Sequence, residues 1–514
     1  MGKLRAKDIT MRKASIIVVT MLLFAVFSCQ QERSFEVTSY LSDSPIIPLP
    51  VNVISDSSYL VLGNQLYFDS EGVSTQQVQA QMSDFWKDQN FATEDLRIQF
   101  TRKESLAEEA YDLAIHADHI RITANDSLGF LWGWMTLKQV IALSSVETEY
   151  GTAIPTGIIE DQPKYGYRGM MLDIARHFFS PEEIKTIIDE ISMYKINRLH
   201  LHLADDQGWR IEIKSWPKLT EIGGSVEVGS SLEVDDRQGG FLTQDDYIDL
   251  VNYAAQNGMM IIPEIDMPGH TNAALASYPE LNCDGLAREL YTGTEVGFST
   301  LCTDKEITYK FIDDVVREIG EITPGPYFHI GGDESHSTEH DDYLYFINRV
   351  ISIVENNGKT MIGWDESAEA DVRDGTVVQL WAHPDMAEMG LSKGATILFS
   401  LSNKTYIDMK YDSTTNLGLS WAGYIDVPTS YNWDPTDYIS EEYADQFLGL
   451  ESPLWTETVT NVKEAEYMIF PRITSYAEIG WTPKESRSWE DFLGRLRAHE
   501  NWWNKLEINS YKEY

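Results

Sequence analysis

Eight short apolar runs, five of them ending in acids or aromatics and most followed by a helical pattern, constrain this chain more than any other feature. Five are plain: Tyr167–Asp173, Arg198–Asp206, Met259–Asp266, Tyr327–Glu334 and Lys359–Glu366. Val377–Ala382, Thr396–Ser400 and Ser452–Glu457 complete the set. Ser180-Pro-Glu-Glu183 supplies an N-cap serine, a first-turn proline and a glutamate three residues on, which predicts a helix to about Lys195. Thr243 with Asp246 predicts a second, ending near Gly258. Strands alternating with helices argue for parallel βα units. With polar and aromatic groups gathered at the C-terminal ends of many such strands, the predicted fold is α/β, a (β/α)8 TIM barrel with its site on that face. The helices after the fifth and seventh runs are poorly marked, which predicts an irregular barrel there.

Among the runs, Tyr327-Phe-His-Ile-Gly-Gly-Asp-Glu334 is the most informative. Neighbouring residues on a strand point to opposite faces, so Asp333 and Glu334 share one site only where the strand ends and the backbone bends. Gly331 and Gly332 permit the bend. Alone, such a segment is better read as a turn with solvated acids; the surrounding motifs reverse that and favour a site.

The chain's 514 residues exceed one barrel and suggest two domains. Residues 45–160 carry short alternating runs, Tyr111–Ile115 and His119–Thr123, then a helical stretch, Leu128–Leu143, which reads as a small α+β domain. The barrel domain is then 161–514, with a helix from about Glu464 to Ile479 near its end. At the other end, Arg12 and Lys13 precede the apolar run Ile16–Phe27, a pattern of export signals too short for a confident membrane span. Val26-Phe-Ser-Cys29 resembles a bacterial lipobox, so 1–28 reads as a signal peptide, Cys29 as a lipidated mature N-terminus and polar 29–44 as a tether. Ordinary signal cleavage nearby is the alternative. The expected location is extracytoplasmic, on a bacterial membrane through the lipid.

Removing 1–28 leaves 35 basic against 80 acidic residues, a balance of −45. Such a charge opposes nucleic acid and anionic membrane and suits a neutral substrate. Export permits a disulfide between Cys283 and Cys302; two buried thiols remain the other reading.

The set His329-Ile-Gly-Gly-Asp-Glu334, Asp173-Ile-Ala-Arg-His177, His202-Leu-Ala-Asp-Asp-Gln-Gly-Trp-Arg210 and Pro263-Glu-Ile-Asp-Met-Pro-Gly-His270 resembles glycoside hydrolase family 20, the β-N-acetylhexosaminidases. Gly363-Trp-Asp-Glu366, Gln379-Leu-Trp381, Tyr406-Ile-Asp408, Leu454-Trp-Thr-Glu457 and Phe470-Pro-Arg-Ile473 extend the likeness over roughly 45–510. The resemblance implies exo-acting, retaining, substrate-assisted hydrolysis of oligosaccharides or glycoconjugates ending in a β-N-acetylhexosamine, with no cofactor. It implies that Glu334 is the acid and base, with a pKa raised by burial and by Asp333. Asp333 receives the acetamido N–H, Tyr406 donates to the acetamido oxygen, and His270 with Asp205 supports the acid. Trp364, Trp381 and Trp455 form an aromatic box. Arg176 and Glu457 hold the hydroxyls on carbons 3 and 4, and Asp408 with Trp421 lies near carbon 6.

Two other readings compete. His200-Leu-His202 places two histidines on one strand face, as metal ligands are placed, with His329 and Asp333 as further candidates. That pair falls inside a strand and lacks a clear later set of ligands. A non-catalytic sugar-binding lipoprotein keeps the tryptophans but has no need of Asp333, Glu334, Tyr406 and His270 together.

Overall fold

Both capping boxes form. Ser180 accepts from the Glu183 N–H and Thr243 from the Asp246 N–H, opening helices Pro181–Ser192 and Gln244–Gln256. Ile184, Ile187, Ile188 and Ile191 recur at helical spacing and are wholly buried, each side chain contributing about 1.5–3 kcal/mol by leaving water. This computed structural model describes residues 39–70 and 72–514. The expected signal peptide, Cys29 and the tether up to residue 38 lie outside the described residues. The remainder of the expected tether belongs to the fold: Leu41 sits in a short 3-10 turn and is fully buried in the small domain's core. Its polar neighbours masked that one anchoring side chain.

Seven strands build the first sheet: β1 (Asn52–Val61), β2 (Gly63–Asp69), β3 (Ala92–Arg102), β4 (Tyr111–Ile115), β5 (His119–Ala124), β6 (Val146–Thr148) and β7 (Gly151–Asp161). Their order is β1-β7-β4-β5-β3-β2, with β6 against β7. Helix Ser127–Ser144 packs on this sheet, and Asp126 caps it through the Gly129 N–H. A polar seam joins sheet to barrel. Buried Lys195 bridges Asp161 at 2.9 Å, and buried Arg168 pairs with Glu109.

Eight parallel strands then close a barrel: β8 (Tyr167–Asp173), β9 (Arg198–His202), β10 (Met260–Glu264), β11 (Tyr327–His329), β12 (Thr360–Trp364), β13 (Val377–Leu380), β14 (Thr396–Phe399) and β15 (Phe447–Leu454). The irregular places are the expected ones: a 3-10 turn, Asp365–Glu369, follows β12, and a long excursion with one short helix, Val427–Tyr431, follows β14. Among the described residues, no helix is long and apolar enough to cross a membrane.

Two expectations near the C-terminus need correction. The last strand starts at Phe447 rather than Ser452; Gly449 and Pro453 disguise it, yet Gly449 is required because a Cβ there would lie 1.9 Å from the Tyr167 carbonyl oxygen. The single helix expected over 464–479 is two, Val462–Ile469 and Arg472–Trp481. Pro471 lacks the N–H that a continuous helix needs. A further helix, Trp489–Lys505, packs behind them.

Candidate active site

The acid pair owes its position to backbone conformation. After β11, Gly331 (φ 65°), Gly332 (φ 98°) and Glu334 (φ 45°) all take left-handed conformations. Glu334 thereby bears a strain of about 1–3 kcal/mol. Asp266, at the end of the neighbouring strand, braces the turn by accepting the Gly332 N–H at 3.0 Å. No side chain fits at Gly331, where a Cβ would lie 1.9 Å from Asp266 Oδ1. His270 has φ 53°, so both members of the acid's immediate pair sit on strained backbone.

Arg176, His270, Asp333, Glu334, Trp381, Tyr406, Asp408, Trp421, Trp455 and Glu457 line one cavity of about 220 Å³ at the C-terminal ends of the strands. Ten of the twelve residues expected from sequence therefore meet there. Asp205 lies one layer behind, bridging Arg176 Nη2 at 2.8 Å, His270 Nδ1 at 3.2 Å and His202 Nε2 at 3.0 Å. Trp364 does not line the cavity. It is buried beneath Trp455, ring centroids 6.0 Å apart, and its indole N–H donates to Glu264 at 3.1 Å. A strand-end tryptophan points where its register sends it, and Trp364, the last residue of β12, faces the barrel's polar interior.

Aromatic rings form the walls. Tyr406 and Trp381 lie nearly parallel with centroids 6.5 Å apart, Trp455 is 6.4 Å from Tyr406, and Trp421 stands on the rim at 57% exposure. The Trp381 indole is fixed by Glu366 Oε2 at 3.0 Å. Several buried polar atoms of lining residues have no partner within the protein: Arg176 Nε, Asp333 Oδ1, both Asp408 carboxylate oxygens and Glu457 Oε2. Buried polar atoms cost about 1–3 kcal/mol each when unmatched. Such a lining suits a polyhydroxylated ligand with apolar ring faces.

Electrostatics corrects one expectation. The Glu334 carboxyl is not raised. Its contact with His270, Nε2 to Oε2 3.6 Å, holds it below the usual value against the opposing effect of burial. His270 itself is raised well above an ordinary histidine: burial works against its charge, but Asp205 more than compensates. The free site therefore keeps its proton on His270, next to the acid. The forms Glu⁻/His⁺ and GluH/His carry the same number of protons, so a proton held by His270 is one that Glu334 can take up. Asp333 is raised well above its usual value, chiefly by burial and then by Asp266. Asp408 and Glu457 are raised mainly by burial.

His200, His202 and His329 lie in the layer below, fully buried, and do not line the cavity. The Glu264 carboxylate lies 2.5–3.0 Å from all three rings and hydrogen-bonds His202, while His200 meets Glu451 at 2.9 Å and His329 Nδ1 accepts the Gly331 N–H at 3.0 Å. His200 and His202 brace the floor through carboxylates and His329 through the Gly331 backbone, and Asp333 stands apart from that group.

Sequence reasoning missed Asp266 and Glu366 as braces, although both closed runs that it had picked out. It also missed Thr294 and Val296, which line the cavity from the loop after β10. Cys283 and Cys302 are bonded and tie that loop's ends together. Nothing in the local pattern at Thr294 and Val296 marks them as wall residues.

Residues 165–484 match the family described as glycosyl hydrolase family 20, catalytic domain, and residues 43–162 match its domain 2. A β-N-acetylhexosaminidase from Cellulomonas fimi is 37% identical over 80% of this chain and 82% of its own. The solved β-N-acetylhexosaminidase of Streptomyces coelicolor A3(2) superposes with a TM-score of 0.86 at 38% identity, covering 92% of this chain and 99% of that one. A mutant Streptomyces plicatus β-hexosaminidase in complex with the product GlcNAc has a TM-score of 0.86 at 39% identity, covering 93% and 98%.

Proposed function

The chain belongs to glycosyl hydrolase family 20, and from that premise we propose how its own residues hydrolyse a terminal sugar. It is a glycoside hydrolase, a β-N-acetylhexosaminidase that releases terminal β-linked N-acetylglucosamine or N-acetylgalactosamine. One observation carries the mechanism: adjacent acids, Asp333 and Glu334, meet Tyr406 in a single aromatic-walled cavity. A covalent retaining mechanism uses two carboxyls facing each other across the sugar, whereas substrate-assisted families depart from that arrangement. Here the acetamido oxygen attacks the anomeric carbon as the glycosidic C–O bond breaks. Glu334 passes the shared proton to the leaving oxygen. Asp333 accepts the acetamido N–H and offsets the positive charge that grows on nitrogen, while Tyr406 donates to the acetamido oxygen and aims it. Water then opens the oxazolinium ring, returning its proton to Glu334, and the sugar leaves with its configuration retained. Arg176 and Glu457 hold the hydroxyls on carbons 3 and 4, and Asp408 with Trp421 holds the group on carbon 6. A lining rich in carboxyls opposes anionic sugars.

An aryl β-N-acetylglucosaminide series with zero to three fluorines on the acetamido methyl tests this. Fluorine weakens the carbonyl nucleophile, so turnover falls stepwise with fluorine count. A flat series means that the acetamido group does not attack.

The enzyme is an exported lipoprotein in this reading. Its support is the basic start, the apolar run and Cys29 in the sequence, together with a Cys283–Cys302 bond suited to an oxidising compartment. Cys29→Ala moves the protein from the membrane fraction to the soluble one. Continued sedimentation of that variant with membranes overturns the assignment.

A further inference from the structure

A second cavity, of about 290 Å³, is bordered by Tyr431, Trp433 and Trp489. It lies at the opposite end of the barrel. Its first two aromatics belong to the excursion that leads down to the start of β15, and Trp489 begins the helix Trp489–Lys505. The helix Arg472–Trp481 ends nearby, and its last carbonyl, Trp481 O, accepts the N–H of Lys164 just ahead of β8. Lys164 Nζ also reaches Asp434 at 3.1 Å, fixing this corner to the N-terminal side of the strands.

The chemistry of the lining is specific. The Tyr431 hydroxyl donates to Glu478 at 2.7 Å and the Trp433 indole N–H to the Ser430 carbonyl at 3.0 Å, so the polar atoms of both rings are already engaged within the protein. One face of Tyr431 is covered by Phe492, stacked at 4.1 Å, and half-buried Trp489 stands 5.9 Å from Tyr431. Around these rings each carboxylate meets a cation: Asp434 is shared by Arg487 at 2.6 Å and Lys164 at 3.1 Å, and Asp437 meets Lys484 at 2.6 Å. Arg487 also donates to the Trp433 carbonyl at 3.1 Å, yet its Nε has no partner within the protein although the side chain is only 6% exposed. Burying such a donor is costly unless something accepts from it.

We propose that this cavity is a second, non-catalytic saccharide site that takes a neutral pyranose unit. Pyranose rings offer apolar C–H faces to aromatic carbon and hydroxyls to directed polar groups, and both are here. The protein's formal charge of −41 further disfavours a polyanion. The site rests on the glycan substrate class assigned above but not on the catalytic roles. It holds part of an extended or clustered glycan at a distance from the cavity that cleaves it, raising the local concentration of chain ends.

The test uses the full-length Glu334→Gln protein, which preserves the probe, titrated with the β-1,4 tetramer of N-acetylglucosamine. Calorimetry should resolve two sites per chain. Adding Trp489→Ala removes one of them, weakening it about tenfold or more, and leaves the other intact. With Glu334 in place, Trp489→Ala leaves aryl-glycoside turnover unchanged. Should that variant not fold, Lys484→Ala at an exposed position replaces it, with the same loss expected. In protein labelled with 5-fluorotryptophan, the resonance missing from Trp489→Phe shifts on adding tetramer. One site in both proteins with no shift of that resonance overturns the proposal, as does tighter binding of a sulfated tetramer at this position. Loss of aryl-glycoside turnover in the wild type would instead refute the functional reading, so the two failures are distinct.

Discussion

Glu334→Gln lowers turnover of a disaccharide by about 10²–10⁴-fold, the range that positioned acid catalysis contributes, and lowers turnover of an aryl glycoside with an acidic phenol far less. Both substrates need the acetamido group to attack, but only the sugar alkoxide needs a proton to depart. Glu334 keeps 30% of its side chain exposed, and its Oε2 faces His270 Nε2 at 3.6 Å. Substrate entering the cavity covers the carboxyl, and losing water favours its neutral form. A proton on His270, across that contact, is then within reach of Glu334. Glutamine keeps the size and lacks that proton. A plot of log kcat/KM against leaving-group pKa should be steep for Glu334→Gln and shallow for the wild type. Parallel lines would remove Glu334 from the role of acid.

Much of this was legible because the fold and the site are written in different kinds of residue. Barrel strands are buried on both faces and read as apolar runs, and capping boxes at Ser180 and Thr243 mark helix starts by local hydrogen bonding that needs no tertiary context. What escaped depends on neighbours far along the chain. The start of β15 is set by Tyr167 some 280 residues earlier, through the room that only Gly449 leaves. Trp364 looked like its companions Trp381 and Trp455, yet the register that carries it inward involves β11 and β13 as well as its own strand. Asp266 and Glu366 each close an apolar run, but a carboxylate that braces a turn and one that meets substrate have the same sequence. The direction of the Glu334 shift could not be read either: it depends on Asp205, two strands away in the sequence of elements, which charges His270 and so holds the neighbouring acid low.

Asp333→Asn lowers kcat by about 10²–10³-fold, as loss of one preorganised electrostatic group does, and leaves KM and thermal stability nearly unchanged. The amide retains the shape and still accepts the acetamido N–H through its oxygen. It cannot offset positive charge on nitrogen as the oxazolinium forms, and charge present only in the transition state acts on the chemical step. Asp333 is buried, and its Oδ1 has no partner within the protein. Burial raises its pKa well above the ordinary carboxylate value, so as pH falls through that raised value the wild type loses the anion it needs while most carboxylates are still ionised. The acid limb of kcat/KM therefore lies above the usual carboxylate range in the wild type. In Asp333→Asn that limb disappears, because nothing at the position titrates. Ligands separate this role from a structural one. A thiazoline that binds as a cation should lose more affinity in the variant than the neutral product sugar, as measured by calorimetry at a pH above the wild-type limb. Equal losses for both ligands, with turnover little changed and the limb still present, would make Asp333 a strand-end acid that only shapes the turn.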